Sequence, residues 1–151
     1  REMITIQITI FILYTTLIVY RYGILPSISE SWYVLPLRQK FLFTLFTWGI
    51  GIPMLFYDSG ALFLSGSALT FVGVATQFKT SISFTREVHY AGALIGVLVP
   101  LIYFGISSDN WIPLVIQVFA TMFIVLTKTQ NKIWWTEIVA FVCVLIGLLN
   151  I

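Results

Sequence analysis

The run Val88-His89-Tyr90-Ala91-Gly92-Ala93-Leu94-Ile95-Gly96-Val97-Leu98-Val99-Pro100-Leu101-Ile102-Tyr103-Phe104-Gly105-Ile106 decides how the chain is read. It opens on the single histidine of the sequence, carries two glycines four apart and a proline, and contains no charged side chain. An uncharged apolar run of this length suits a helix crossing a hydrocarbon core about 30 Å thick. Membrane-crossing strands would alternate polar and apolar residues and close into a barrel. This run does not alternate, so the prediction is a helix whose backbone groups pair within the segment.

Five similar runs surround it: Met3–Tyr20, Phe41–Tyr57, Ala61–Phe78, Trp111–Thr127 and Ile133–Ile151. The first is read as a span and not as a signal peptide, because Tyr20-Arg21-Tyr22 follows it where a small-x-small cleavage site would stand. The whole chain is 59% hydrophobic and 9% charged, with mean hydropathy +0.99. A soluble domain carries about 25% charged residues, and this chain lacks the charge to cover a water-facing surface. The expectation is one all-α domain over residues 1–151, an integral membrane bundle of six transmembrane helices.

The charges sort by loop. Arg21, Arg38 and Lys40 fall between runs one and two, Lys79 and Arg86 between three and four, and Lys128 and Lys132 between five and six. The other two loops offer Asp58 and Asp109. The positive-inside rule makes the odd loops cytoplasmic and both termini non-cytoplasmic. The expected location is a multi-pass position in a membrane, taken as a bacterial plasma membrane, with membrane lipid as the partner. A second copy of the chain or another membrane protein is the alternative partner. A net charge of +2 gives no basic field for nucleic acid. Cys143 is the one cysteine and has no intrachain disulfide partner.

Local signals fill in the loops. Asp58 and Asp109 precede apolar runs and are predicted to cap them. Pro113 falls in the first turn of the fifth helix, where proline is tolerated. In the first loop, Ser27 and Glu30 match a capping box between Pro26 and Pro36, and Trp32 and Tyr33 suit headgroup level. That predicts a short interfacial helix. Gly92 and Gly96 form a small-residue face for close helix packing. Gly66, Thr70, Gly73 and Gln77 share one face of the third run, and Thr44, Thr47 and Gly51 one face of the second.

His89 lies on the face of Gly92 and Gly96 and should point into the bundle near its cytoplasmic end. Ionisable groups at membrane depth are costly and take partners, here Glu30, Glu87 or Glu137. Ser29, Ser31, Glu30, Arg38, Arg86, His89 and Glu137 all fall on the cytoplasmic side. They suggest a pocket for a polar or anionic headgroup-like ligand, with Arg38 and Arg86 as a basic rim. Each has a plainer role as well: His89 as a structural hydrogen-bonding residue, Glu137 as a complement to its helix dipole, and Arg86 and Glu87 as solvated charges.

A Ser–His–Glu relay from Ser29 or Ser31, His89 and Glu137 is the minority reading, since no G-x-S-x-G supports it. No metal is expected, because paired histidines and HExxH are missing, and no cofactor is implied. The span number and the serine-with-histidine pattern resemble the ceramidase-like and adiponectin-receptor-like membrane hydrolases. Those carry a three-histidine zinc site with H-x-x-x-H in the last helix, so no residue is carried over from them. Two other functions stay open. Gln7, Gln77, Gln117 and Thr121 at membrane depth, with prolines in runs two and four, suit a channel or transport subunit acting as an oligomer. A small apolar chain also suits a structural or scaffold subunit of a larger membrane complex.

Overall fold

The computed structural model describes residues 2–79 and 83–151, and all regular structure in them is helical. The order is α1 (Glu2–Tyr22), α2 (Ser31–Val34), a 3-10 turn (Leu37–Gln39), α3 (Phe41–Met54), α4 (Gly60–Val74), α5 (Ser83–Ser108), α6 (Ile112–Leu126) and α7 (Lys132–Leu149). The six apolar runs therefore become α1, α3, α4, α5, α6 and α7. Three of these, α1, α5 and α7, are long and apolar enough to cross a membrane. The others stop at 14 or 15 residues. At about 1.5 Å per residue they reach only about 21–22 Å.

The shorter helices end for local reasons. α3 closes directly after Pro53, which cannot donate to the preceding turn. α4 ends where Ala75 leaves helical geometry, at ψ 47°. α6 ends as Thr127 becomes extended.

The caps differ from expectation. Ser59, not Asp58, caps α4, its hydroxyl accepting from the Leu62 N–H at 3.4 Å. Ser59 has the extended backbone of a cap, and its shorter side chain sits one residue closer. Asp109 does not cap α6. It follows the end of α5 in left-handed geometry, with φ 50°, and Asn110 N–H returns to the Phe104 carbonyl. Trp111 holds the cap position of α6 without a side-chain bond, and Pro113 sits in the first turn as predicted.

Consecutive long helices run antiparallel. Trp134 N–H bonds the Pro26 carbonyl, and Lys79 N–H bonds the Tyr33 hydroxyl. These contacts gather the three lysine- and arginine-bearing loops at one end of the bundle, called the basic end below. Glycines close the central seam. A side chain on Gly66 would meet the carbonyl of Gly51, and one on Gly92 would meet that of Ala68. Thr44 donates to the Gly73 carbonyl at 2.8 Å and Trp48 to the Thr70 carbonyl at 3.1 Å, joining α3 to α4. Pro100 deprives the Gly96 carbonyl of its helical donor, and the Ser65 hydroxyl of α4 supplies one at 2.6 Å. Gln77 departs from its predicted face, because it lies past the end of α4 and is exposed.

The core at the middle of the bundle holds Phe43, Phe46, Ile50, Met54, Leu101 and Phe104, all nearly inaccessible. The outside is also apolar: Leu13, Phe71 and Phe123 are each more than half exposed.

Candidate functional site at the basic end

The first loop does not lie flat on the bundle. Ser27, Ile28, Ser29, Ser31 and Leu35 are buried, so residues 27–35 plug the basic end. The predicted interfacial helix is the four-residue α2, set into the bundle. The early end of α4 leaves the space that it fills. Half of the predicted capping box forms: Glu30 N–H bonds the Ser27 hydroxyl at 3.2 Å. The other half does not, because the Glu30 carboxylate turns to Lys79, at 2.7 Å.

Three polar groups of the plug each reach a different helix. Ile28 N–H donates to Glu137 Oε2 of α7 at 2.5 Å. The Ser31 hydroxyl donates back to the Ile28 carbonyl at 2.6 Å, so the Tyr14 hydroxyl of α1 is the donor in its 2.5 Å contact with Ser31. Ser29 Oγ meets His89 Nε2 of α5 at 3.0 Å. Asn131, at the start of α7, donates to the Ile24 carbonyl at 2.8 Å.

His89 is 2% exposed and, as its spacing predicts, is buried along with Gly92 and Gly96. Its Nδ1 lies 3.0 Å from the Ala75 carbonyl. A carbonyl only accepts, which assigns the proton to Nδ1 and leaves Nε2 of the neutral ring to accept from the Ser29 hydroxyl. The Ala75 carbonyl has just left α4 and lacks a helical donor, and His89 provides one. The ring stacks on Phe78 with centroids 4.2 Å apart.

The Ser–His–Glu relay is not assembled. Glu137 bonds the backbone of Ile28 and not His89, and Ser31 faces Tyr14. Ser29 and His89 do form a hydroxyl–imidazole pair, and three N–H groups beside it are occupied. Ile28 N–H bonds Glu137, Glu30 N–H bonds Ser27, and Ser31 N–H bonds the Ile28 carbonyl. None of these three is available to stabilise an oxyanion.

Arg38 and Arg86 are exposed. Among the described residues no hydrogen bond or ion pair joins either one to the cluster, and no three potential metal ligands group together.

Two spaces adjoin the cluster. A cavity of about 80 Å³ is lined by Ser29, Thr47 and Glu137 among apolar side chains. A groove of about 630 Å³ runs between α5, α6 and α7, and its polar lining is Gln117, Thr121, Thr136 and Glu137. Ala93, Val97, Glu137 and Ala140 border both spaces. Among the described residues no lysine, arginine or histidine lines either one.

Sequence reasoning brought Ser29, His89 and Glu137 to the right end of the molecule. It missed Tyr14 and the Ala75 carbonyl. Tyr14 has only apolar residues three and four positions away to mark its face, and a backbone acceptor leaves no trace in composition. Comparison of the chain with protein-family models, with curated proteins and with solved structures gives no match, so its function is argued from its own geometry.

Proposed function

We propose that the chain is a multi-pass membrane protein, with six crossings and both termini on the non-cytoplasmic side, that binds a polar headgroup-like ligand at its basic end. The single observation that carries the reading is the cavity where Ser29 and Glu137 face a common space with room for a few heavy atoms. Three helices of membrane-crossing length and the apolar exterior support the setting. The gathering of basic loops at one end supports the orientation through the positive-inside rule. For the three short helices, a locally thinned bilayer and flanking aromatic residues make up the length. Ser29 offers a hydroxyl and Glu137 a carboxylate, so the ligand's head contributes donors to the carboxylate. Arg38 and Arg86 stand outside this pocket and meet a lipid surface instead.

The test is ligand-induced stabilisation of the purified protein in detergent. Ethanolamine and glycerol 3-phosphate serve as cationic and anionic headgroup probes. Ethanolamine should raise the melting temperature of the wild type and leave Glu137→Gln unmoved, and glycerol 3-phosphate should have little effect. No shift with either probe would sink the headgroup reading. A shift that persists in Glu137→Gln would place the binding elsewhere. Orientation is checked separately by impermeant thiol labelling of Lys128→Cys and Asp109→Cys in intact cells. Labelling of Lys128→Cys from outside would reverse the topology.

A further inference from the structure

The groove between α5, α6 and α7 contains a polar atom without a partner. Gln117 is 7% exposed and lines the groove. Its Nε2 donates to Thr121 Oγ1 at 3.0 Å, while its Oε1 has no donor. A buried carbonyl without a donor costs on the order of 1–3 kcal/mol. Thr121, Thr136 and Glu137 are the other polar groups of the groove wall, and Glu137 alone of them carries a carboxylate. Oε2 of its carboxylate is held by Ile28 N–H, and no donor among the described residues meets Oε1. Both unmet atoms are acceptors, and among the described residues no basic side chain lines the groove to answer them.

The groove is also the way from the side of the bundle to the inner cavity. Its shared wall is built from Ala93, Val97, Ala140 and Glu137, two of them alanines. On the open side Leu94, Val118 and Met122 are each at least half exposed. An occupant arriving from the membrane would bring an apolar chain past these residues before its head reached Glu137. Lipid tails are as apolar as these side chains, so the chain itself gains little on leaving the bilayer. Selectivity must come from the acceptors. They call for a head that donates hydrogen bonds, and the carboxylate favours a positive charge.

We infer that this groove admits a single-chain amphiphile with a protonated amine head, laterally from the bilayer, its donors pairing with Glu137 and Gln117. This rests on the headgroup reading above and specifies the ligand and its route. Phosphates and carboxylates are disfavoured, because their heads would bring acceptors to acceptors.

Lateral access can be tested on the full chain in lipid nanodiscs. Dicyclohexylcarbodiimide, which partitions into lipid, adds to a reachable carboxyl and rearranges to a stable N-acylurea. Modification of Glu137 is read by mass spectrometry of its peptide. The inference expects labelling of Glu137 in the wild type. N,N-dimethyldodecylamine, protonated at neutral pH and unable to form an amide, should slow that labelling about tenfold, the effect of its charge and its one N–H donor at Glu137. Dodecyltrimethylammonium has the same charge without the N–H donor, and dodecanoate carries the opposite charge. Both should protect less.

Gln117→Leu should weaken the binding of dodecylamine, whose ammonium has three N–H donors, about threefold to tenfold, the loss of one hydrogen bond, read from its stabilisation of the protein in detergent. Met122→Trp narrows the groove from its exposed side without disturbing the core, and should slow labelling with no ligand present. An unlabelled Glu137 would overturn lateral access. Equal protection by dodecanoate would overturn the amine head. If ethanolamine still stabilises the protein but the long-chain amine gives no protection, the groove inference fails and the headgroup reading survives. If neither has any effect, both fail.

Discussion

α5 has two packed sides, and they pack in opposite ways. Toward α4 it presents His89, Gly92, Gly96 and Pro100, all buried. Toward α6 and α7 it presents Ala93, Leu94, Val97 and Leu98 along an open groove. On the first side, missing side chains let backbones touch, and each freed polar group is met: the Gly96 carbonyl by Ser65, the Ala75 carbonyl by His89. On the second side bulkier residues hold the helices apart, and Gln117 is left with an acceptor unpaired. The contrast teaches that small residues decide where this bundle closes. Wherever it does not close, its polar groups are available to something else.

Loading the closed seam should have the largest effect. Gly66→Leu would drive a side chain into the carbonyl of Gly51. A loss of about 3 kcal/mol or more is expected, at the upper range for overpacking, read as a lower melting temperature in detergent. A melting point unchanged by that substitution would break the view that glycine contact sets the seam. Next comes His89→Ala, which removes the donor to Ala75, the acceptor for Ser29 and a ring stacked on Phe78. The expected cost is about 2–3 kcal/mol. Ser29→Ala alone should cost less than half of that, and equal losses would mean that the hydroxyl, not the ring, holds the plug.

Glu137→Leu leaves the Ile28 N–H without its acceptor and should cost about 1–2 kcal/mol. Glu137→Gln keeps a carbonyl oxygen for that bond and should restore most of the stability, which separates the structural duty of Glu137 from its charge. The smallest change is expected in the open groove. Gln117→Leu deletes an unpaired acceptor together with the Nε2 bond to Thr121, opposing effects that should keep the change in stability within about 1 kcal/mol, in either direction. A loss above 1 kcal/mol would show that Gln117 is already partnered, by water or lipid, and would erase the difference between the two sides of α5.

Much of the architecture was legible in the sequence, because the signals concerned were local. Apolar runs place the six helices α1, α3, α4, α5, α6 and α7, with boundaries shifted by up to five residues. His89, Gly92 and Gly96 share a face because the helical period requires it. The basic loops collect at one end because alternate connections of an antiparallel bundle must do so. The errors came where two local options compete or where the partner is distant. Asp58 and Ser59 are adjacent candidates for one cap, and only the extended backbone at Ser59 settles the choice. Glu30 was a candidate partner for His89, but the fold gives it Lys79.

By itself, then, the sequence determined that this is an all-helical chain with apolar segments, that the basic residues of its connections fall in alternate loops, and that one face of α5 is built for close contact. Those properties follow from composition and from a fixed helical repeat, which no tertiary contact can change. The tertiary structure decided that residues 27–35 plug the basic end, that His89 pairs with Ser29 and Ala75 while Glu137 holds Ile28, and that the bundle closes along α4 but stays open along α6. The physical reason is that a polar group at depth must take a partner from whatever the packing brings within about 3 Å, and packing is set by side-chain volumes on helices far apart in the chain.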